Sequence, residues 1–303
     1  MIGLRESFPV NMRATSIGFS AILMWSLLAL FTAASGKMPP FQLSAICFAI
    51  GSLPGIILFI ARPERLKLLK QPVAAWATGI IGLFGYHFLY FTALRNAPPA
   101  EAGMIAYLWP LFIVLGSAML PGERLRLVHI IGALIGFAGA ALILSGRVGG
   151  SEQFTDTQRY MGYAAAFACA ITWASYSLLS RRFGDVPTDA VTGFCLATSI
   201  LSAISHLFLE TTVWPAASTE WLAILGLGIF PVGLAFYAWD YGVKKGDIQL
   251  LGVASYAAPV LSTLALIAAG YAEATWQVLL ACVLVPGGAL LAVSGTVFKK
   301  KAA

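Results

Sequence analysis

Ten long apolar stretches fill this chain and decide what it can fold into. They lie at about 15–34, 42–61, 73–94, 98–120, 126–145, 160–180, 188–209, 220–242, 248–270 and 275–297. A helix needs about 20 predominantly apolar residues to cross the hydrocarbon core of a bilayer. There is no water there to satisfy backbone N–H and C=O groups, so each segment must be helical and bond to itself. Ten such spans leave no room for a soluble domain in 303 residues. The composition agrees: 59% of the residues are hydrophobic and 11% are charged, against about 25% charged in a soluble domain. The expected fold is an all-α integral membrane protein with ten transmembrane helices.

The first stretch imitates a secretory signal, with Arg5 and Arg13 before it and Ala33-Ala34-Ser35 as a possible cleavage site. It is longer than the roughly 7–15 residues of a signal core, and it has a counterpart later in the chain, so it reads as a retained helix. The basic residues set the orientation. With the N-terminus inside, Arg5, Arg13, Arg62, Arg65, Lys67, Lys70, Arg124, Arg126, Arg181, Arg182, Lys244, Lys245 and Lys299 to Lys301 face the cytoplasm. Lys37, Arg95, Arg147 and Arg159 face the other side. This asymmetry follows the positive-inside rule, and one helix more or fewer would scramble it. The expectation is a multi-pass protein of the cell (inner) membrane with both termini cytoplasmic. The net charge of +6 belongs to loops beside anionic membrane lipid and does not call for nucleic acid. Cys47, Cys169, Cys195 and Cys282 lie in apolar runs without CxxC or Cys/His spacing, so no metal site or disulfide framework is expected.

The second half repeats the first. A shift of 149 positions lays Gly103-x3-Tyr107-x2-Pro110 on Gly252-x3-Tyr256-x2-Pro259, Gly139-Ala140 on Gly288-Ala289, and Ser145-Gly146 on Ser294-Gly295. At a shift of 148, Trp25 meets Trp173. The reading is two five-helix repeats, 1–148 and 149–303, in one compact membrane domain with a joint near Gly149-Gly150-Ser151. Five is odd, so the repeats enter the membrane in opposite senses. An inverted repeat can expose a midplane site to either side by exchanging the conformations of its halves. Channels carry inverted repeats as well.

Pro110 and Pro259 fall mid-span. A helix proline lacks an N–H and clashes with the carbonyl four residues back, so the carbonyls of Ala106 and Ser255 are expected to be free and the pair to act as hinges. Aromatic residues suggest a binding cavity: Trp25, Tyr86, His87, Tyr90, Tyr107, Trp109, Trp173, Tyr176 and Tyr256. Tyr86 and Tyr90 share a helix face, and Gly79 and Gly82 leave space near it. Helix 8 adds Tyr237, Trp239 and Tyr241. Trp76, Trp214, Trp221 and Trp276 lie near span ends, where tryptophan marks the interface. Of the ionisable residues, His87 and His206 are intramembrane candidates. Asp240 reads as a local ion pair with Lys244. Gly132-x3-Gly136-x2-Gly139 reads as close helix packing, within the chain or between two copies; monomer and homodimer stay open. No HExxH, GxSxG or phosphate-binding glycine loop is present, so neither an enzyme nor a cofactor is expected.

Pro-Gly-Glu-Arg-Leu at 121–125 and Ile131-Gly132-Ala133-Leu134-Ile135-Gly136 resemble the EamA-type branch of the drug/metabolite transporter superfamily, and the resemblance spans essentially the whole chain. Ala272-Glu273 departs from the motif in the second half. Glu123 and Glu273 precede helices, where an acid complements the dipole and caps free N–H groups. Ala21-Ile22-Leu23-Met24-Trp25-Ser26 and Tyr107-Leu108-Trp109-Pro110 are most similar to the YddG-like aromatic amino acid exporters. The resemblance implies export of phenylalanine, tyrosine and tryptophan, and of other neutral amino acids or flat hydrophobic cations, as small-molecule substrates. A different metabolite or drug in the same fold, or a channel, are the alternatives.

Overall fold

The computed structural model describes residues 11–145, 154–270 and 273–297. Arg5, Arg147, the joint at Gly149-Gly150-Ser151, Ala272 and Lys299 to Lys301 lie outside the described residues. Every regular element among the described residues is helical. In the first half these are α1 (Met12–Trp25), α2 (Leu28–Ala34), α3 (Pro40–Ala61), α4 (Val73–Ile80), α5 (Tyr86–Asn96), α6 (Pro99–Ala106), α7 (Trp109–Gly116) and α8 (Leu127–Ser145). The second half holds α9 (Asp156–Arg182), α10 (Ala190–Leu209), α11 (Ser218–Ile229), α12 (Ala235–Lys245), α13 (Ile248–Ala254), α14 (Ala257–Ala268) and α15 (Trp276–Val297). Several join end to end. Among the described residues, nine helical rods are long and apolar enough to cross a membrane, and α15 adds a shorter apolar stretch at Trp276–Ala292. The chain is a helical, multi-pass membrane protein.

Local chemistry sets the ends. Asn11 caps α1 through the amide of Ala14, and Asp247 caps α13 through that of Leu250. Thr155 and Gln158 form a capping box on α9, satisfying amides that the first turn leaves without partners. Interruptions within rods are more informative. α4 and α5 are joined by a π turn at Ile81–Gly85, and α11 and α12 by another at Phe230–Leu234. The two turns lie 149 positions apart. α6 stops at Ala106 before α7 begins at Trp109, and α13 stops at Ala254 before α14 begins at Ala257. α1 also breaks, at Ser26 and Leu27, whereas α9 runs unbroken through Trp173. The sequence expected the first span to be continuous.

The most extensive packing pairs α8 with α15, α3 with α10, α1 with α12, and α5 with α9. Each pair joins an element of the first half to one of the second. α8 and α15 cross at Gly132 and Gly288, where a Cβ on either would meet the other's carbonyl oxygen at 2.5 Å. The glycine face of α8 (Gly132, Gly136 and Gly139) is therefore buried within the chain and is not offered to a second copy. α1 crosses α12 at Gly18 and Gly242, where a Cβ on Gly18 would lie 3.0 Å from the Gly242 Cα.

Polar contacts gather at two ends. At one, which is rich in Lys and Arg, Arg65 pairs with Asp189 at 2.8 Å, and the Asp247 amide donates to Thr15 Oγ1 at 2.9 Å. At the far end, Glu210 accepts from the amides of Phe41 and Gln42 and from Arg95. Tyr163 donates to Glu101 there.

Three local expectations are corrected. The Ser255 carbonyl is not free: the helix breaks just before Pro259, and this oxygen accepts from the Ala258 amide at 3.1 Å. Glu123 does not cap the helix that follows; its Oε1 accepts from Arg181 Nη2 at 2.6 Å. The second-half counterpart of Gly122 is Gly270, because both turn the chain at positive φ (81° and 77°), where glycine is strongly favoured. The glutamate that follows Gly270 is displaced to Glu273, which blurs the motif.

Candidate functional site

At the centre of the molecule four tryptophans meet. Trp25 ends α1, Trp109 begins α7, Trp173 lies within α9 and Trp239 lies in α12. All six pairings among them are ring contacts. Trp25 lies 6.3 Å from Trp109, 5.6 Å from Trp173 and 5.1 Å from Trp239. Trp109 lies 6.2 Å from Trp173 and 5.8 Å from Trp239, and Trp173 lies 6.3 Å from Trp239. Edge-to-face geometry dominates, as ring quadrupoles prefer.

The backbone interruptions place these rings. Trp25 and Trp109 flank the breaks of their rods, and Trp239 follows the second π turn. Trp25 Nε1 donates to the carbonyl of Pro231, inside that turn, at 3.1 Å. Trp239 Nε1 donates to Ser177 Oγ at 3.1 Å. The indole N–H groups of Trp109 and Trp173 make no hydrogen bond among the described residues.

The first π turn brings α5 to the same cluster. Tyr86 lies 5.3 Å from Trp173 and stacks on Tyr90 at 6.1 Å. His87 packs on Phe48 at 5.0 Å and on Phe236 at 6.2 Å. Its Nδ1 lies 2.7 Å from the Leu83 carbonyl. That contact makes Nδ1 the donor and leaves Nε2 as an acceptor, with no partner among the described residues. Tyr86, His87, Tyr90 and Trp25 are only partly buried, whereas Trp109, Trp173 and Trp239 are buried.

The structure thus unites Trp25, Tyr86, His87, Tyr90, Trp109, Trp173 and Tyr176 in one aromatic cluster. Tyr176 packs against Trp173 in a tilted ring contact at 5.1 Å. The space expected beside Gly79 and Gly82 is filled: Phe194 covers the first and Tyr176 the second. Tyr256 stands apart. It is fully buried against Phe137 at 6.1 Å, in a separate core around α8 and α15. Tyr107 packs on that second core. Pro110 lies in the first turn of α7 and Pro259 in that of α14. His206 sits at the far end, bound to Glu210 at 3.0 Å and Thr212 at 2.9 Å.

Sequence reasoning named Trp239 only in passing and missed Phe48 and Phe236. Trp239 corresponds to Tyr90 at the 149-residue shift, and Phe236 to His87. Applying the repeat to every aromatic would have found both. Among the described residues, no three His, Cys, Asp or Glu side chains group as metal ligands. Cys47, Cys169 and Cys195 are buried free thiols.

The comparisons with known proteins extend over most of the chain. The sequence profile of the EamA-like transporter family matches residues 12–145 and again 160–294. The chain is 57% identical over 280 residues to the aromatic amino acid exporter YddG of Ancylobacter novellus, covering 92% of this chain and 96% of that protein. It is 27% identical over 290 residues to the aromatic amino acid exporter YddG of Escherichia coli, covering 92% of this chain and 96% of that one. A solved crystal structure at 56% identity superposes with a TM-score of 0.87, covering 93% of this chain and 97% of that chain.

Proposed function

The chain belongs to the EamA-like transporter family, and we propose that it exports aromatic amino acids, and other neutral amino acids, by alternating access at the tryptophan cluster. One observation carries this reading: four mutually touching indoles come from both halves, and three of them sit beside a backbone interruption. A change at any break moves an aromatic wall of the site. Indole and tyrosine faces suit a flat apolar side chain. The zwitterionic end finds an acceptor at His87 Nε2 and indole donors at Trp109 and Trp173. Similarity to proteins named aromatic amino acid exporters supports the substrate class.

The architecture behind this proposal is ten spans in two inverted five-helix repeats, 1–148 and 149–303. Four observations support it. The π turns recur 149 positions apart and the paired breaks 148 apart, and the family profile matches twice. The strong helix pairs are exchanged or preserved when each rod is replaced by its counterpart. Polar contacts put Thr15 at the basic end and its counterpart Tyr163 at the far end. The halves interleave and are not two lobes. The basic end faces the cytoplasm, with both termini, in the cell inner membrane; loop charge supports this orientation.

The two ends are not equally closed. α13 packs on α7 and α8, but its counterpart α6 makes no packing of similar extent with α14 or α15. The described state is thus sealed at the basic end and looser at the far end. Proteoliposomes loaded with labelled phenylalanine test the reading. Saturable, protein-dependent flux with counterflow is expected. Flux that never saturates and shows no counterflow would favour a channel, and a panel in which a drug or unrelated metabolite outcompetes phenylalanine would reassign the substrate.

A further inference from the structure

At the basic end, one guanidinium holds three segments together. Arg181, in the last turn of α9, donates through Nη1 to the carbonyls of Val243, Lys244 and Gly246 at 3.1, 3.0 and 2.8 Å. Through Nη2 it binds Glu123, in the turn before α8, at 2.6 Å. The three carbonyls belong to the end of α12 and the corner into α13, where a helix leaves acceptors unsatisfied and favours a cation. The same corner is held from its other side by Thr15 and by the bond from Gln249 Nε2 to Ser117 Oγ at 2.9 Å.

The far end is held differently, by Glu210 with Arg95 and the amides of Phe41 and Gln42, and among the described residues it has no counterpart of Arg181. At the repeat offsets Arg181 corresponds to Thr32 and Ala33 in α2, neither of which carries a charge. The backbones differ in parallel. α9 runs straight through Trp173, while its counterpart breaks just beyond Trp25 and continues as α2. Exchange of the two halves' conformations would straighten the first span and break α9 just beyond Trp173. That break would carry Arg181 away from the α12 carbonyls.

We infer that Glu123 and Arg181 form a one-sided latch that keeps α9 straight and the basic end closed, and that each transport cycle opens it by breaking α9 beyond Trp173. This rests on the alternating-access reading above. Glu123 orients the guanidinium, so it acts as a positioning residue and touches no substrate. The latch also makes the two states unequal, favouring the one described.

Backbone amide hydrogen exchange of the reconstituted full-length protein tests it. In Glu123→Gln, exchange over 174–182 and 243–250 is expected to rise about fivefold or more, with no rise at 94–100. Arg181→Lys, which keeps the charge but loses the fork, should do the same, and Glu123→Asp should restore much of the protection. Weakening the latch populates the state open at the basic end, so half-saturation for phenylalanine presented from that side should fall. Unchanged exchange at 174–182 and 243–250 overturns the latch, as does a uniform rise that includes 94–100. If the unaltered protein shows no counterflow, the transport reading fails, but the exchange result still decides whether the latch exists.

Discussion

Trp109 is where one side chain bears most directly on the proposed site. It touches Trp25, Trp173 and Trp239 and is buried. An aromatic pair contributes about 0.5–1.5 kcal/mol beyond area burial, and about 1.4 kcal/mol is tenfold in affinity. Trp109→Ala should therefore weaken phenylalanine binding about tenfold or more, read by equilibrium binding of the labelled amino acid to purified protein. Undiminished binding would remove Trp109 from the site. Tyr256→Phe makes the contrast. Tyr256 belongs to the α8 and α15 core, apart from the tryptophan cluster, so its variant, which loses one hydroxyl, should keep the half-saturation of the parent within about twofold. The sequence made the aromatic types legible, and most of the chosen residues do converge. It did not separate Tyr256 from the rest, because the 149-residue shift lays Tyr256 on Tyr107, although Tyr256 is fully buried and Tyr107 only partly. A local sequence pattern carries no sign of that difference.

Proline proved a weaker guide to helix interruption than its chemistry suggests. Pro54 and Pro286 lie inside α3 and α15, and both helices continue through them. Pro110 and Pro259 instead lie in the first turns of α7 and α14, where the missing N–H costs least. What separates the cases is the preceding turn: the Leu108 amide bonds Ile105 at 3.1 Å and the Tyr256 amide bonds Val253 at 3.2 Å, a tighter winding. Alanine at 110 removes the ring that opposes a continuous α6 and α7. Pro110→Ala should leave the protein folded but slow counterflow several-fold, the direction expected when a hinge-like position is stiffened. Parental rates in a protein of unchanged thermal stability would count against the hinge. The π turns were not legible at all, since Ile81–Gly85 and Phe230–Leu234 share no motif beyond small and apolar residues. An extra residue per turn is decided by packing across the halves, as where Gly51 lies against Gly233.

On the scale of the molecule, the distribution of nineteen basic residues in the sequence does what no single motif can. It divides the loops into a heavily charged set and a sparse one, and the contacts place Arg65, Arg181 and Lys245 at one end and Arg95 at the other. The spans are apolar enough to read from composition alone, so the helical membrane class was legible early. Pairing across the halves was not, because helices in lipid associate by shape and close approach and not by burial of hydrophobic area. Orientation gives the last test. In intact cells, Lys37→Cys should react with a membrane-impermeant maleimide, and Lys67→Cys should react only after permeabilisation, because basic loops are retained inside. Three of the four native thiols are buried and Cys282 lies within α15, so the unsubstituted protein sets the background. Reversed labelling would turn the molecule over. The end sealed by Arg181 would then face outward, and the described state would be one that loads from the cytoplasm.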